Sequence, residues 1–330
     1  MTPPEIHISE VSTFSRCRLQ WHFSSRNRMN LEKRDPYSPF FIGSAMHYAV
    51  AAYYTGGLKA AKDALAAYMA RKTENLGGYG LTEAQWDQVN EDINLCRGMI
   101  ENYARWAEEN DYFEIAPELP ILVDMGDWVF RGTADGLITT NKGKHLLAEN
   151  KTARSLPNSS APLIYDNQHV AYLWGTEHDP TYKDLDVQGV LYTFMRKKLP
   201  TVPNLLKSGR LTKRKLATTF DTYLQAIRDH GLDPKDYENY LRGLREQDSP
   251  FFTRFTMPKS KARIRRFEKD LKRTVDIMLN DPVIYPSPTR WSCPRCPYSD
   301  LCKMYLHGRS IKPLVEAHYT QREADDLAVD

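Results

Sequence analysis

Trp128-Val129-Phe130-Arg131-Gly132-Thr133-Ala134-Asp135-Gly136-Leu137-Ile138, followed by His145-Leu146-Leu147-Ala148-Glu149-Asn150-Lys151-Thr152, is the stretch whose reading decides the fold. Its β-branched and apolar runs, bounded by turn formers, predict strands over 128–133, 137–139 and 145–150. Asp135 then falls at the junction of two strands, and Glu149 closes a third that reads as buried. Side chains alternate along a strand, so Glu149 and Lys151 share a face while Asn150 points elsewhere. A charged pair ending a buried strand is where an α/β protein is expected to carry its site.

Further short apolar runs at 113–123 and 185–194 extend this into a mixed sheet. A helical signal over 163–174 lies between the 145 and 185 strands and predicts a strand, helix, strand crossover. Ahead of the sheet the chain reads as helical. A short helix over 12–21 would carry Cys17, two more cover 43–54 and 59–73 around a Gly56-Gly57 break, and a long one runs from a Thr82/Gln85 capping box to about 110. After the sheet come helices at 218–229 and 234–247, a returning strand at 251–257, and an amphipathic helix over 261–279 with Ile264, Phe267, Leu271, Val275 and Met278 on its apolar stripe. The expectation is an α/β fold in one domain, 1–330. It divides into a helical part at 12–110, an α/β core at 111–199, a helical insertion at 200–250, a strand, basic helix and cysteine cluster at 251–310, and a C-terminal tail at 311–330 whose closing 321–330 reads as acidic, polar and mobile.

Composition narrows the classes. With 330 residues, 41% hydrophobic and 26% charged, the chain can bury a sizeable core, which excludes a fibre, a disulfide miniprotein and a disordered chain. The formal net charge of +3 does not announce a nucleic-acid binder. No run approaches the roughly 18 apolar residues of a bilayer helix, and the first ten residues lack a signal-peptide pattern, so no membrane partner and a cytoplasmic setting are expected. Five cysteines, an odd number, suit a reducing compartment with a metal or cluster site.

Two carboxylates converging from adjacent strands would hold Mg²⁺ or Mn²⁺ through oxygen. Such an ion polarises a phosphodiester and stabilises the charge that develops as the ester breaks, while Lys151 orients water or neutralises phosphate. Cys293, Cys296 and Cys302 bring three thiolates to one centre, with the fourth ligand open among Cys17, Cys96, a histidine or water. On spacing alone both zinc and an iron-sulfur cluster fit.

The ordered set His47, Asp135, Glu149-Asn150-Lys151 and Gln168-His169-Val170-Ala171-Tyr172 resembles the PD-(D/E)xK nuclease superfamily, in particular its RecB-like exonuclease branch. The resemblance covers about 12–305 and is weakest over 200–245; Ala134 stands where many members carry proline. It implies a restriction-endonuclease-like core, with His47, Asp135 and Glu149 as metal ligands, Lys151 as the catalytic lysine, and Gln168 and Tyr172 bordering the site. CRISPR-associated and phage-type members, and the AddB nuclease domain, bind a 4Fe-4S cluster with one cysteine before the core and three after it. That pattern implies Cys17, Cys293, Cys296 and Cys302 as cluster ligands, with zinc as the lesser occupant, and leaves Cys96 as a buried small hydrophobe.

Two basic stretches suit a DNA path despite the small net charge, because phosphate attraction is local. One holds Arg196, Lys197, Lys198, Lys213, Arg214 and Lys215; the other holds Arg263, Arg265 and Arg266. Trp21, Phe23, Tyr37 and Phe40 could stack bases or, as aromatics near a first helix, equally belong to the core. There is no Gly-x-x-x-x-Gly-Lys-Ser/Thr phosphate loop, so no helicase motor is expected in the chain, and a helicase or single-strand annealing protein is a candidate partner. The expected activity is metal-dependent exonucleolytic cleavage of single-stranded DNA or DNA ends in recombination, repair or phage DNA processing, by a monomer or a homo-oligomer. The alternatives are a non-catalytic iron-sulfur DNA-binding or assembly module, a structure-selective endonuclease and an RNA nuclease.

Overall fold

The computed structural model describes residues 3–34, 41–77, 81–111, 113–214, 216–280 and 282–322. At its centre lies a six-stranded mixed sheet in the order β1 (Glu5–Ile6), β4 (Val129–Thr140), β5 (His145–Ala153), β6 (Val187–Arg196) and β7 (Phe252–Pro258), with β3 (Phe113–Asp124) also paired to β4. β3 runs antiparallel along β4 from Phe113↔Thr140 to Asp124↔Val129 and so takes one whole edge. The other edge is shared. β1 pairs in parallel at Val129 and Phe130, and β5 pairs antiparallel from Gly136↔Ala148 to Thr139↔His145.

β4 is therefore one continuous strand, and Asp135 lies within it, not at a junction of two strands. The ladder to β3 keeps one register on both sides of Asp135, skipping only Glu118 at φ +54°, and carries the chain across Gly132 and Gly136, where local propensity alone predicts a break. The β4–β5 ladder ends at Gly136↔Ala148, so Asp135 and Glu149 are the first residues past its end on their two strands. β5 and β6 are parallel and are joined through a 3₁₀ turn (Ala161–Tyr165) and α5 (Gln168–His178), which is the predicted crossover.

Helices flank the sheet. α1 (Ile8–Arg16) and α2 (Arg18–Ser24) replace the single helix expected over 12–21, because Cys17 between them is extended at φ −159°. α3 (Phe41–Gly77) is bent at Gly56 and Gly57, the latter at φ +70°, a conformation that costs glycine little. α4 (Glu83–Asn110) starts at the Thr82/Gln85 capping box. α5 is buried along its length from His169 to Thr176. It packs with α1 and α8 (Lys261–Asn280) against Phe130, Ala134, Leu147 and Tyr192 of the sheet. α3 and α4 share a second core with Met195 and Phe252. α6 (Phe220–Asp229) and α7 (Glu238–Glu246) enclose a separate small cluster around Tyr223 and Tyr237.

The chain ends are clasped together. β2 (Leu31–Lys33) pairs antiparallel with β8 (Tyr319–Gln321), beside α9 (Ser299–Leu306) and α10 (Lys312–His318). Tyr298 Oη donates to Leu31 O at 2.6 Å, and the Tyr298 ring stacks on Tyr319. Burial of Tyr319 seats 319–321 in this clasp, and 323–330, most of the stretch expected to be mobile, lie outside the described residues. Trp21 and Phe23 are each 1% exposed, so they are core side chains and not stacking platforms. Tyr37 and Phe40 lie outside the described residues. Among the described residues, no helix is long and apolar enough to cross a membrane.

Candidate active site

The parting of β4 and β5 creates the site. Asn150 main-chain N–H donates to Asp135 Oδ2 across the gap, and Asp135 Oδ1 lies 3.0 Å from His47 Nδ1 on α3. Lys151 Nζ lies 2.6 Å from Glu149 Oε1, as the two-residue strand spacing requires. Glu149 is almost wholly buried, while Lys151 keeps a third of its side chain in solvent. Burial pushes the Glu149 carboxyl up to about 7, with Lys151 opposing and Asp135 reinforcing the rise. For Lys151, burial favours the neutral amine but Glu149 outweighs it, and the ammonium is held. At His47 burial likewise favours the neutral ring, and the Asp135 carboxylate overcomes it to raise the pKa.

Opposite β5, Lys151 Nζ donates to Gln168 Oε1 at 2.8 Å, and Gln168 Nε2 donates to Tyr172 Oη at 3.2 Å. His47, Asp135, Glu149, Lys151, Gln168 and Tyr172 thus form one continuous cluster drawn from α3, β4, β5 and α5. A Cβ at Gly132 would stand 2.7 Å from Tyr172 Cε1, so that glycine leaves room for the ring. Sequence reasoning missed Asp166, whose Oδ1 accepts from Gln168 N at 2.8 Å. The Asp-x-Gln spacing at a helix start was its available signal.

Two carboxylates and an imidazole are a donor set suited to a hard divalent cation. Each carboxylate is nevertheless engaged by protein donors, Asp135 by His47 and Asn150 and Glu149 by Lys151. Among the described residues, no group of three His, Cys, Asp or Glu side chains stands at metal-holding spacing.

The same statement covers the cysteines. All five are free thiols. Burial raises the pKa of Cys302, and the neighbouring Cys17, Cys293 and Cys296 raise it further, which brings the four into one electrostatic group. Backbone N–H groups of Ser287 and Thr289 donate to Cys17 Sγ at 3.4 Å and Cys293 Sγ at 3.2 Å. Four soft sulfur donors fit an iron-sulfur cluster or zinc by donor chemistry. Cys96 stands apart on α4, fully buried, with its thiol pushed up to about 12 by burial.

The basic residues fare unevenly. Lys198, Lys213, Arg214, Arg265 and Arg266 are exposed, Arg266 in an ion pair with Asp270 at 2.7 Å. Arg196 and Lys197 are half-buried, and Lys215 lies outside the described residues. Arg263 is half-buried and turned toward α5, away from the exposed basic face of α8.

No curated protein matches the chain. Among solved structures it is similar to one described as "Crystal structure of SSO0001", at 14% identity over 91% of this chain and 85% of that chain, with a TM-score of 0.33. That degree of likeness carries no argument about this protein. The family described as "PD-(D/E)XK nuclease superfamily" matches residues 6–303, from β1 to α9, and encloses every element of the sheet and cluster described above. The chain belongs to the PD-(D/E)XK nuclease superfamily.

Proposed function

We propose that this protein is a metal-dependent DNA exonuclease of the RecB-like branch, acting on single-stranded DNA or DNA ends in recombination, repair or phage DNA processing in the cytoplasm. One observation carries this reading. Asp135 and Glu149 follow directly on the last β4–β5 pair, Asp135 accepts from Asn150 N–H across the gap, His47 lies 3.0 Å from Asp135 and Lys151 lies beside Glu149, in a chain of a nuclease superfamily. His47, Asp135 and Glu149 would hold Mg²⁺ or Mn²⁺. The bound ion would supply Lewis-acid stabilisation of the charge on the breaking phosphodiester. Lys151, held as an ammonium and aimed by Gln168, neutralises a phosphate oxygen, and Tyr172 fixes Gln168 from below.

The order of these residues along the chain supports the branch, as do the four thiols gathered from the two ends. In this reading Cys17, Cys293, Cys296 and Cys302 hold a 4Fe-4S cluster whose role is structural. Tyr165 is 86% exposed and Ile164 56% exposed, beside a cleft of about 620 Å³ that Met257 also lines. That aromatic face, one residue from Asp166, supports stacking by unpaired bases and hence a single-stranded substrate supplied by a separate helicase or annealing protein.

The test is anaerobic purification with iron and sulfide assays, then a time course with Mg²⁺, Mn²⁺ or EDTA. Substrates are end-labelled linear and circular single-stranded DNA, duplex DNA and RNA. Metal-dependent release of nucleotides from linear single strands alone is expected; cutting of circles or RNA overturns the exonuclease assignment. A second reading, a non-catalytic DNA-binding or assembly module, is favoured by the engagement of both carboxylates with protein donors. It predicts tight DNA binding with no cleavage in any divalent ion.

A further inference from the structure

Arg263 sits in the first turn of α8, on the stretch whose charges suggest a DNA-binding face, yet its guanidinium points into the protein. Nη2 donates to Asp166 O at 3.0 Å, and Nη1 lies 3.1 Å from His169 Nε2. Arginine has only donors, so Nε2 of His169 must be the lone-pair nitrogen and the ring proton must sit on Nδ1. Nδ1–H then donates to Tyr192 Oη at 2.9 Å. The tyrosine proton is thereby directed to Asp166 Oδ2, 3.0 Å away. Asp166 Oδ1 accepts the main-chain N–H of Gln168, and the Gln168 side chain accepts from Lys151 Nζ.

The series is fixed from both ends: Arg263 can only donate to His169 Nε2, and the Asp166 carboxylate can only accept, from Tyr192 Oη and from the Gln168 main-chain N–H. None can be reversed without leaving two donors or two acceptors face to face. Burial and Arg263 together hold His169 down to about 4, so the ring is neutral as the series requires. The N-cap of α5, Asn167, makes no side-chain cap bond. Asp166 and the Arg263 contacts therefore fasten the end of the helix that presents Gln168 to Lys151.

We propose that Arg263 is a positioning residue for Lys151, acting through His169, Tyr192, Asp166 and Gln168, and is not a phosphate contact of the basic helix face. This rests on Lys151 being the catalytic lysine, and the two questions can fail separately. Arg263→Met removes both contacts; Arg263→Lys keeps the charge but cannot reach the Asp166 carbonyl and the His169 ring together.

The experiment uses the full chain loaded with Mn²⁺. Steady-state cleavage of end-labelled single-stranded DNA gives kcat and KM, and the salt dependence of DNA binding is measured in the inactive Glu149→Gln background. Nitrogen-15 chemical shifts of His169 report its tautomer. Both Arg263 variants are expected to lose kcat by about 10- to 100-fold with KM and salt slope unchanged, the cost of a misplaced catalytic group. In Arg263→Met the Asp166 carboxylate still takes the Tyr192 proton, so the Nδ1–H tautomer is expected to persist while kcat falls.

Rescue of kcat by Arg263→Lys, or a salt slope reduced by about one in Arg263→Met, would mark a phosphate contact and overturn the proposal. A wild-type His169 that carries its ring proton on Nε2 overturns it as well, because Nε2 then has no lone pair for Arg263. If the wild-type protein cuts nothing, the function fails, while the tautomer and salt slope still decide what Arg263 does. Should Arg263→Met not fold, Asp166→Asn takes its place. It keeps the side-chain shape but turns an amide N–H₂ toward Gln168 N–H or Tyr192 O–H, and the same kcat loss without a KM change is expected.

Discussion

Replacing Glu149 by glutamine tests the electrostatics of the site without changing its shape. The carboxyl of Glu149 is raised from an ordinary 4.5 to about 7, chiefly by burial, with Lys151 2.6 Å away already in that balance. Between those values the native chain keeps a proton that the unfolded chain has released, so ν_N exceeds ν_U and stability falls as pH rises. The gap corresponds to about 3 kcal/mol, fully lost above about pH 7. Glutamine carries no charge at any pH. Glu149→Gln is therefore expected to match the wild type near pH 4 and to exceed it by about 1–3 kcal/mol at pH 8.

Urea unfolding in EDTA at a series of pH values measures the difference directly. Comparing the two proteins cancels the titration of groups they share. With Mn²⁺ at about 100 times its Kd, the wild type should recover about 2.7 kcal/mol by mass action and the variant much less. A wild type that is more stable than the variant at pH 8 in EDTA, or a difference independent of pH, would refute the assignment of burial as the dominant cause.

Four further outcomes are expected. The native chain resists protonation of His169 down to about 4 while the unfolded chain protonates near 6.5, so stability is lost as pH falls through that interval, by up to about 3 kcal/mol; His169→Gln should flatten the slope in urea melts from pH 4 to 7. Gly132→Ala would drive a methyl into the buried Tyr172 ring, costing about 1–3 kcal/mol and lowering the cleavage rate; calorimetry and a rate unchanged from wild type would contradict this. Cys302→Ser should abolish bound iron and lower Tm, while far-UV circular dichroism stays near wild type because β2–β8 and the Tyr298–Leu31 bond remain. Tyr165→Ala should weaken single-stranded DNA binding by about 5- to 100-fold, the loss of one stacked base, and leave duplex binding unchanged in a fluorescence titration.

Much of the architecture was legible because its signals are local. The α8 stripe, the Thr82/Gln85 capping box, the glycine bend in α3 and the β5–α5–β6 crossover each follow from periodicity or turn chemistry within a few residues. The site was legible through order: His47, Asp135, Glu149, Lys151, Gln168 and Tyr172 are spread over distant segments, and it took a family pattern to group them.

What escaped sequence reading depends on partners far away in the chain. Whether β4 is one strand or two is settled by β3, whose ladder spans both glycines. Cys17 breaks a helix that its neighbours favour, and Tyr319–Gln321 is seated by pairing to Leu31–Lys33, far away in sequence, and by the Tyr298 ring. Arg263 is the sharpest case. Its surroundings in the sequence are those of a phosphate-binding surface, and only the approach of α8 to the start of α5 turns its guanidinium inward. Composition and periodicity thus determined which segments become helices and strands, because those preferences are paid locally. Tertiary structure decided which charges face solvent and which face each other, because that depends on the neighbours folding brings near.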